Sequence, residues 1–463
     1  MTSTLPAHLQ QAIAERCRTF ADEHRLPSLA YGIVAKDGIA LVGGSRDTQY
    51  RIASMTKSFT AAAVLVLRNE GALALDDPIV RHVPQLHSLQ PPTADSPPVT
   101  LRHLMTMASG IATDDPWADR HLDATDAQMD ALFTGGATFA CAPGIEFHYS
   151  NYGYAMLGRL ITNVTGQRFQ DFISTRLLAP LGMNRTSWEP IDARHETGYL
   201  WRDNHLQEEP PPLGDGGFAS MGGLWSTVDD ICRWMSFMCD AFPPRDDADP
   251  GPVRRSTRRE LQQAARHFEP RVKIDSTRTL EIVTGGYAGG LNALDDSTLG
   301  RVVTHSGGLP GFGSNMCWLP DRHIGVVALS NLRYAPAREL TRSILHILRD
   351  HNSLPDRHEA HGSPALRAAA LGLGGLISEW DDSVADRLFA DNVALDEPLD
   401  RRMLAARRLI ELIGATSVTD IRCASGAEAS FTLQGDFGSS RVEFLVSSGQ
   451  PDRVQQYHWT LDL

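Results

Sequence analysis

Strand-like runs stand at both ends of the first 350 residues, and helical patterns fill the stretch between them. Residues 29–34 and 39–42 are apolar runs separated by Lys36-Asp37-Gly38, a composition that turns a chain back as a β-hairpin. Late in this region, 300–304, 314–319 and 324–330 read as further strands. Helical spacing covers 7–24, 54–69 (closed by Gly71), 101–108 (capped by Thr100), 154–165 (stopped at Gly166), 169–178, 226–238 and 335–350. Strands drawn from both ends, with helices between, predict an α+β fold in which an antiparallel sheet sits beside a helical region.

The polar stretch 351–363 interrupts this pattern. It places one domain at 1–352, a linker at 353–363 and a small α+β domain at 364–463, with helical pieces at 364–373 and 401–414 and about four strands within 417–463. A total of 463 residues suits two or three domains. The Pro-, Asp- and Arg-rich segment 241–256 reads as a loop. The His358-Glu359-Ala360-His361 cluster lacks the spacing of a zinc-binding helix. Net charge is −13, which disfavours nucleic acid and anionic membranes as partners. The six cysteines show no paired metal spacing, and Cys232 and Cys239 lie in an apolar stretch as buried thiols would. The N-terminus has no basic region followed by an apolar run, and no stretch reaches 18 apolar residues. A cytoplasmic protein with reduced cysteines, no cofactor and no metal is the expectation.

The chemistry starts from lysine. The chain has three, Lys36, Lys57 and Lys273, and arginine stands at the other basic positions. Arginine carries charge but cannot give up its proton in a protein, so proton transfer by a basic side chain falls to lysine. Lys57 closes Ser54-Met55-Thr56-Lys57 at the start of an apolar helix. Positions i and i+3 share a helix face, so hydroxyl and amine can meet. Burial and the positive end of the helix lower the amine pKa, and a neutral amine can take the serine proton.

Two more segments carry suitable groups. Tyr149 and Asn151 lie in Phe147-His148-Tyr149-Ser150-Asn151, where a phenol can shuttle a proton and an amide can orient a carbonyl. Thr304-His305-Ser306-Gly307-Gly308 follows a strand-like run and precedes a glycine-rich turn, where small residues let a substrate backbone approach. The Gly308 amide can pair with that of Ser54 as an oxyanion hole. His148 is no triad candidate, because lysine already supplies the base. No Gly-x-Ser-x-Gly occurs, which excludes the usual α/β-hydrolase elbow.

In this order, the three segments resemble the serine β-lactamase and penicillin-binding-protein superfamily, closest to its class C-like esterase and D-aminopeptidase branch. Its Ser-x-x-Lys, Tyr-x-Asn and (Lys/His)-x-Gly motifs map onto Ser54 and Lys57, Tyr149 and Asn151, and His305 and Gly307. Tyr50-Arg51-Ile52-Ala53 and Gly222-Gly223-Leu224-Trp225-Ser226-Thr227 are also similar, and the likeness covers roughly 8–350. The resemblance implies a two-lobed β-lactamase-like fold with the site between lobes, and acyl transfer through a covalent acyl-serine. It casts Ser54, Lys57 and Tyr149 as catalytic and Asn151, His305 and Gly307 as substrate-orienting.

Many relatives carry lysine where this chain has His305, so a free substrate carboxylate loses a permanent cation. Met107 stands where many relatives have histidine. The expected function is a serine hydrolase acting on small esters, amides or short peptides. The alternatives are a D-amino-acid amidase or aminopeptidase, a transacylase or peptide cyclase of a biosynthetic pathway, and, further off, a true β-lactamase, a DD-peptidase or an acylated sensor. A homo-oligomer is compatible with the sequence.

Overall fold

The computed structural model describes residues 5–210, 213–274, 280–357, 364–450 and 452–462. The His358–His361 cluster lies outside the described residues. The chain divides into two compact units, Met1–Phe242 with Asp247–Asp356, and Arg357–Leu463 with Pro243–Asp246.

The first unit is built on a nine-stranded sheet. Its strands run, edge inward, Gly38–Gly43, Leu29–Ala35, Ile324–Ser330, Phe312–Leu319, Gly300–Leu309, Asn292–Asp296 and Leu280–Tyr287; Arg266–His267 and Arg271–Ile274 both pair with the last. Every pairing is antiparallel. The N-terminal hairpin therefore docks beside a strand some 300 residues later, Leu29 opposite Ser330, as the pattern of runs at both ends predicts. All residues of Phe312–Leu319 and Ile324–Ser330 are buried. Strands covered on both faces have no solvent side to mark with polar residues, which is why these sequences do not alternate; the buried Ser314, Asn315 and Ser330 are hydrogen-bonded.

One face is covered by the helices Ala7–His24 and Ala337–Asp350, through Leu9, Ile13, Phe20, Leu340 and Ile344. The other face meets Val228–Cys239, which Thr227 caps by accepting from the Asp230 amide. Beyond it lies the helical region around Thr56–Asn69. Twelve of the fourteen residues of that helix are buried, so it is a central helix rather than an amphipathic surface one. Asn151–Thr165 and Ala219–Gly222 pack against it, and Phe59 stacks on Trp234 with centroids 4.2 Å apart.

The second unit packs Pro364–Ser378 and Leu399–Ile413 with the four-stranded antiparallel meander Ser417–Cys423, Glu428–Gln434, Ser439–Val446 and Val454–Asp462. The Ser439–Val446 strand alternates buried and less buried residues, the signature of a half-covered sheet.

Three boundaries differ from the sequence reading. The third-motif strand continues to Leu309, because Gly307 and Gly308 pair with Ser314 and Gly313 rather than turning. The helix read from 154 begins at Asn151, since Ser150 caps it by accepting from the Gly153 amide. Ser54 sits in a 3-10 turn, Ala53–Met55, just before the α-helix.

Gly290 holds the loop between two sheet strands against the serine helix. It has φ +71°, and a Cβ there would lie 2.4 Å from the Lys57 carbonyl oxygen and 2.7 Å from the Ser58 nitrogen. Gly71 has φ +77° and open space around it. Gly71→Ala should cost about 1–2 kcal/mol from backbone strain alone. Gly290→Ala should cost a further ~1–3 kcal/mol for the overpacking. Urea unfolding of both variants checks this; equal losses would mean that the loop yields without resistance.

Candidate active site

The three segments singled out in the sequence converge on one cavity of about 410 Å³. The serine enters it from a strained bend. Tyr50–Arg51 pairs with Trp225–Ser226, the Ile52 amide donates to Leu224 O, and the chain then turns at Ala53, a non-glycine residue at φ +49°. Such a conformation costs of order 1–2 kcal/mol and is held by the surrounding structure. It presents Ser54 at the mouth of the buried helix, where its side chain lines the cavity.

Lys57 is fully buried and meets three acceptors at once: Ser54 Oγ at 2.9 Å, Asn151 Oδ1 at 2.6 Å and Met221 O at 2.8 Å. Met221 is held in place because Thr60 Oγ1 donates to Ser220 O and the Leu224 amide donates to Thr56 Oγ1, tying the short helix to the serine helix on both sides. Desolvation lowers the Lys57 pKa to about 8, and the carboxylates of Asp115, Asp119 and Asp114 oppose the fall. The ammonium also lies 4.9 Å from the Tyr149 ring centroid and 5.6 Å from that of Tyr154, a cation–π arrangement that supports its charged form.

Asn151 is locked from both ends. Its Oδ1 accepts from Lys57 and its Nδ2 donates to Asp115 Oδ1 at 2.6 Å. Asp114 grips the loop beneath, accepting from the Asn151 and Tyr152 amides at 2.8 and 2.9 Å and from Ser150 Oγ at 3.2 Å. A carboxylate at a helix N-terminus is favourable in its own right. Tyr149, half-buried, hydrogen-bonds Ser54; desolvation, reinforced by Asp115, pushes its phenol well above the ordinary tyrosine range. It is therefore a neutral donor near pH 7, not a phenolate.

His305 is buried in the third-motif strand. Its Nδ1–H donates to Ser306 O at 2.6 Å, which leaves Nε2 to accept from the Tyr287 hydroxyl at 3.1 Å. Burial, and then the nearby Lys57 charge, pull its pKa down to about 3. The ring is neutral across the physiological range. Gly307 faces away from the cavity: a Cβ there would lie 2.1 Å from Ile52 O and 2.3 Å from Ser314 Oγ, so this glycine lets the strand lie against the turn before the serine. Gly308 lines the cavity together with Ser54.

Residues that the motifs do not contain complete the walls: Asp115, Asp119, Tyr287, Asn292 and Tyr334. The first four fall in the segments 111–140 and 241–295, which carry no motif of their own. His148, beside Tyr149, points elsewhere and meets Glu146 at 3.3 Å. With Cys141 these two offer donor atoms within 4.8 Å of one another, the set among the described residues that could hold a metal. Met107 supports the Tyr149 loop: its carbonyl accepts from the His148 amide at 2.9 Å and its sulfur from the Ser150 amide at 3.3 Å. All six cysteines are free, and no described helix is long and apolar enough to cross a membrane.

The Beta-lactamase family profile matches residues 12–349. The chain belongs to the Beta-lactamase family. It is 31% identical over 315 residues to Protein flp of Staphylococcus aureus (strain NCTC 8325 / PS 47), covering 64% of this chain and 55% of that protein. Penicillin-binding protein 4* of Bacillus subtilis (strain 168) is 27% identical over 305 residues, covering 61% and 60%. The chain thus matches little more than half the length of these curated relatives. Among solved structures, the octameric penicillin-binding protein homologue from Pyrococcus abyssi aligns with a TM-score of 0.61 at 19% identity, over 98% of this chain and 99% of that one. The penicillin binding protein from Bacillus halodurans aligns with a TM-score of 0.57 at 20% identity, over 72% and 99%. These structures share the fold of this family member.

The buried amine makes Ser54 reactivity depend on pH in a definite direction. Protonated, Lys57 cannot accept the hydroxyl proton; deprotonated, it can. Labelling of Ser54 by a fluorophosphonate should rise about tenfold per pH unit below the Lys57 pKa and level off above it, with the midpoint near 8. A neutral His305 adds no inflection between pH 5 and 8. A labelling rate that stays flat from pH 6 to 9 would remove the amine from the activation of the serine.

Proposed function

We propose that this chain is a serine hydrolase acting on small esters or amides through a covalent acyl-serine. The observation that carries this reading is the 2.9 Å contact between Ser54 Oγ and an amine that is fully buried and has a lowered pKa. Family membership supports the chemistry, and the site supplies the means.

In the proposed sequence, neutral Lys57 takes the Ser54 proton as the oxygen attacks the substrate carbonyl. A bond forms from Oγ to the carbonyl carbon, and the carbonyl electrons move onto its oxygen. The Ser54 and Gly308 backbone amides receive that charge; both residues line the cavity. Collapse expels the leaving group, which gains a proton through Tyr149, whose hydroxyl already touches Ser54. Lys57, now charged, resupplies the phenol. Water then attacks the acyl-serine by the same route in reverse. Asn151 uses one amide N–H on Asp115 and keeps a second, which can orient the substrate carbonyl.

The neutral His305 separates this reading from peptidoglycan and β-lactam chemistry. A substrate carboxylate in this cavity would find no fixed cation beside the third motif, whereas Asp115 and Asp119 stand in the wall. Although Penicillin-binding protein 4* and both similar solved structures are named for penicillin binding, acylation of this chain by penicillins is proposed to be slow.

Turnover of p-nitrophenyl esters tests the assignment. Ser54→Ala should abolish both turnover and fluorophosphonate labelling. Lys57→Arg keeps a cation but cannot deprotonate, and should reduce kcat/KM by about 10³ or more. Tyr149→Phe should slow acylation by about 10²–10⁴ while the thermal transition is retained. Turnover that survives in the Ser54→Ala protein would end the proposal.

A further inference from the structure

The loop that leads into Tyr149 carries a second group of reactive side chains, which the chemistry of the Ser54 cavity does not use. Cys141, Glu146 and His148 each offer one ligand atom, and the three atoms lie within 4.8 Å of one another. His148 Nε2 is shielded from solvent and makes no hydrogen bond. Glu146 Oε2 stands 3.3 Å from it, near enough for an ion pair but without hydrogen-bond geometry. A nitrogen and an oxygen bound to one tetrahedral zinc ion are held about 3.3 Å apart, and a sulfur and a nitrogen about 3.6 Å. The first separation is already present, and a side-chain adjustment of about 1 Å brings the Cys141 thiol to the second. Of the six cysteines Cys141 alone is not buried, and the Glu146 side chain is 65% exposed, so an ion can reach the group from solvent.

The backbone around these residues is fixed independently of any ion. The Ala140 amide donates to Gly110 O at 2.8 Å, the Gly144 amide to Ala108 O at 2.7 Å and the His148 amide to Met107 O at 2.9 Å. Arg266 donates to the carbonyls of Gly144 and Ile145. Gly144 turns the loop at φ +87°. A chelate set on so constrained a loop loses little conformational freedom when it binds.

We propose that Cys141, Glu146 and His148 form a binding site for a zinc-like divalent cation. A thiolate, an imidazole and one carboxylate suit Zn²⁺, whereas Mg²⁺ and Ca²⁺ take oxygen ligands. The Cys141 thiol releases its proton to solvent as the sulfur–metal bond forms. His148 binds through Nε2 and keeps its proton on Nδ1, and water takes the fourth position. The spacing, four residues and then one, matches no paired cysteine or histidine pattern, so the site departs from the expectation of no metal read from the sequence. Its consequence is mechanical. His148 directly precedes Tyr149, which hydrogen-bonds Ser54, so the ion joins the two ends of 141–148 and holds the segment from which Tyr149 projects.

Alkylation of the wild-type chain tests the site without a variant. Cys141 is the thiol that iodoacetamide reaches in the folded protein. Zinc at ten times its dissociation constant should slow that modification about tenfold, read by peptide mass spectrometry. In equilibrium dialysis of the reduced full-length chain, zinc should bind, and cobalt in its place should show a thiolate-to-metal charge-transfer band. Cys141→Ser should remove the band and, like His148→Gln, weaken zinc binding about tenfold or more, with the circular-dichroism spectrum unchanged. Zinc should also slow amide exchange in 141–149; unchanged exchange there would overturn the hold on Tyr149. Alkylation at one rate with and without zinc, or zinc binding that both variants retain, would overturn the site and leave an ion pair beside a free thiol. Should a variant fail to fold, the wild-type alkylation decides. None of these readouts uses ester turnover, so they stand whether or not Ser54 is acylated.

Discussion

A fully buried lysine organises this site. Removing an ammonium from water is costly, and the cost is offset when each of its protons meets an acceptor. Ser54, Asn151 and the Met221 carbonyl provide three such contacts, and each depends on a separate piece of the fold. The serine comes from the bend at Ala53, the amide from the start of the Asn151–Thr165 helix, and the carbonyl from the short Ala219–Gly222 helix. Moving any one of them strands a proton of the amine in an apolar interior. The energetic balance of one side chain therefore fixes the relative placement of three segments far apart in sequence.

The support continues outward in the same manner. Asp115 fixes which end of the Asn151 amide faces the lysine, since a flipped amide would set N–H against N–H. Asp114 fixes the loop that carries Tyr149 by taking two backbone amides at the helix start. The sheet contributes from the other side: Gly307 brings the third-motif strand against Ile52, directly before the serine bend, and Ser314 Oγ donates to the same Ile52 carbonyl at 2.9 Å. Small residues here are a matter of distance rather than turning, because a side chain on Gly307 would hold the two segments apart.

The parts of this arrangement that are local in sequence are legible in it. Ser54 and Lys57 are three residues apart on one helical face, so their meeting needs only that the helix form. Three of the sheet strands are legible for a related reason: 29–34 and 324–329 are continuous apolar runs and 316–319 another, because these strands are covered on both faces. Other features are set by tertiary contact and leave a weaker trace. Leu280–Tyr287 is partly exposed and mixes polar with apolar residues, so its pattern does not announce a strand. The strand-like run reads as ending at Thr304, yet Gly307 and Gly308 still pair as a ladder, and what glycine supplies at 307 is close approach to Ile52. Asp115, Asp119 and Tyr287 carry no motif at all; they matter through what the fold sets opposite them.

The same distinction bears on how charge is distributed. The motifs identify where a proton is transferred, but the sign of the potential in the cavity comes from residues outside them. His305 occupies the place where relatives often keep a cation, and its burial next to Lys57 suppresses any charge of its own. A positive Lys57 and a positive residue 305 would disfavour each other in so dry a space, since like charges a few ångströms apart are weakly screened there. Neutral His305 spares the amine that competition, while Asp115 and Asp119 lean the other way and stabilise its protonated form. The amine is thus poised between desolvation, which would neutralise it, and carboxylates, which would keep it charged. A pKa near the working pH is the outcome a proton carrier needs, because it can then both accept and release the proton within one cycle. Two of the carboxylates that set this balance, Asp115 and Asp119, also line the cavity, so the tuning of the base and the negative charge of that wall share one physical origin.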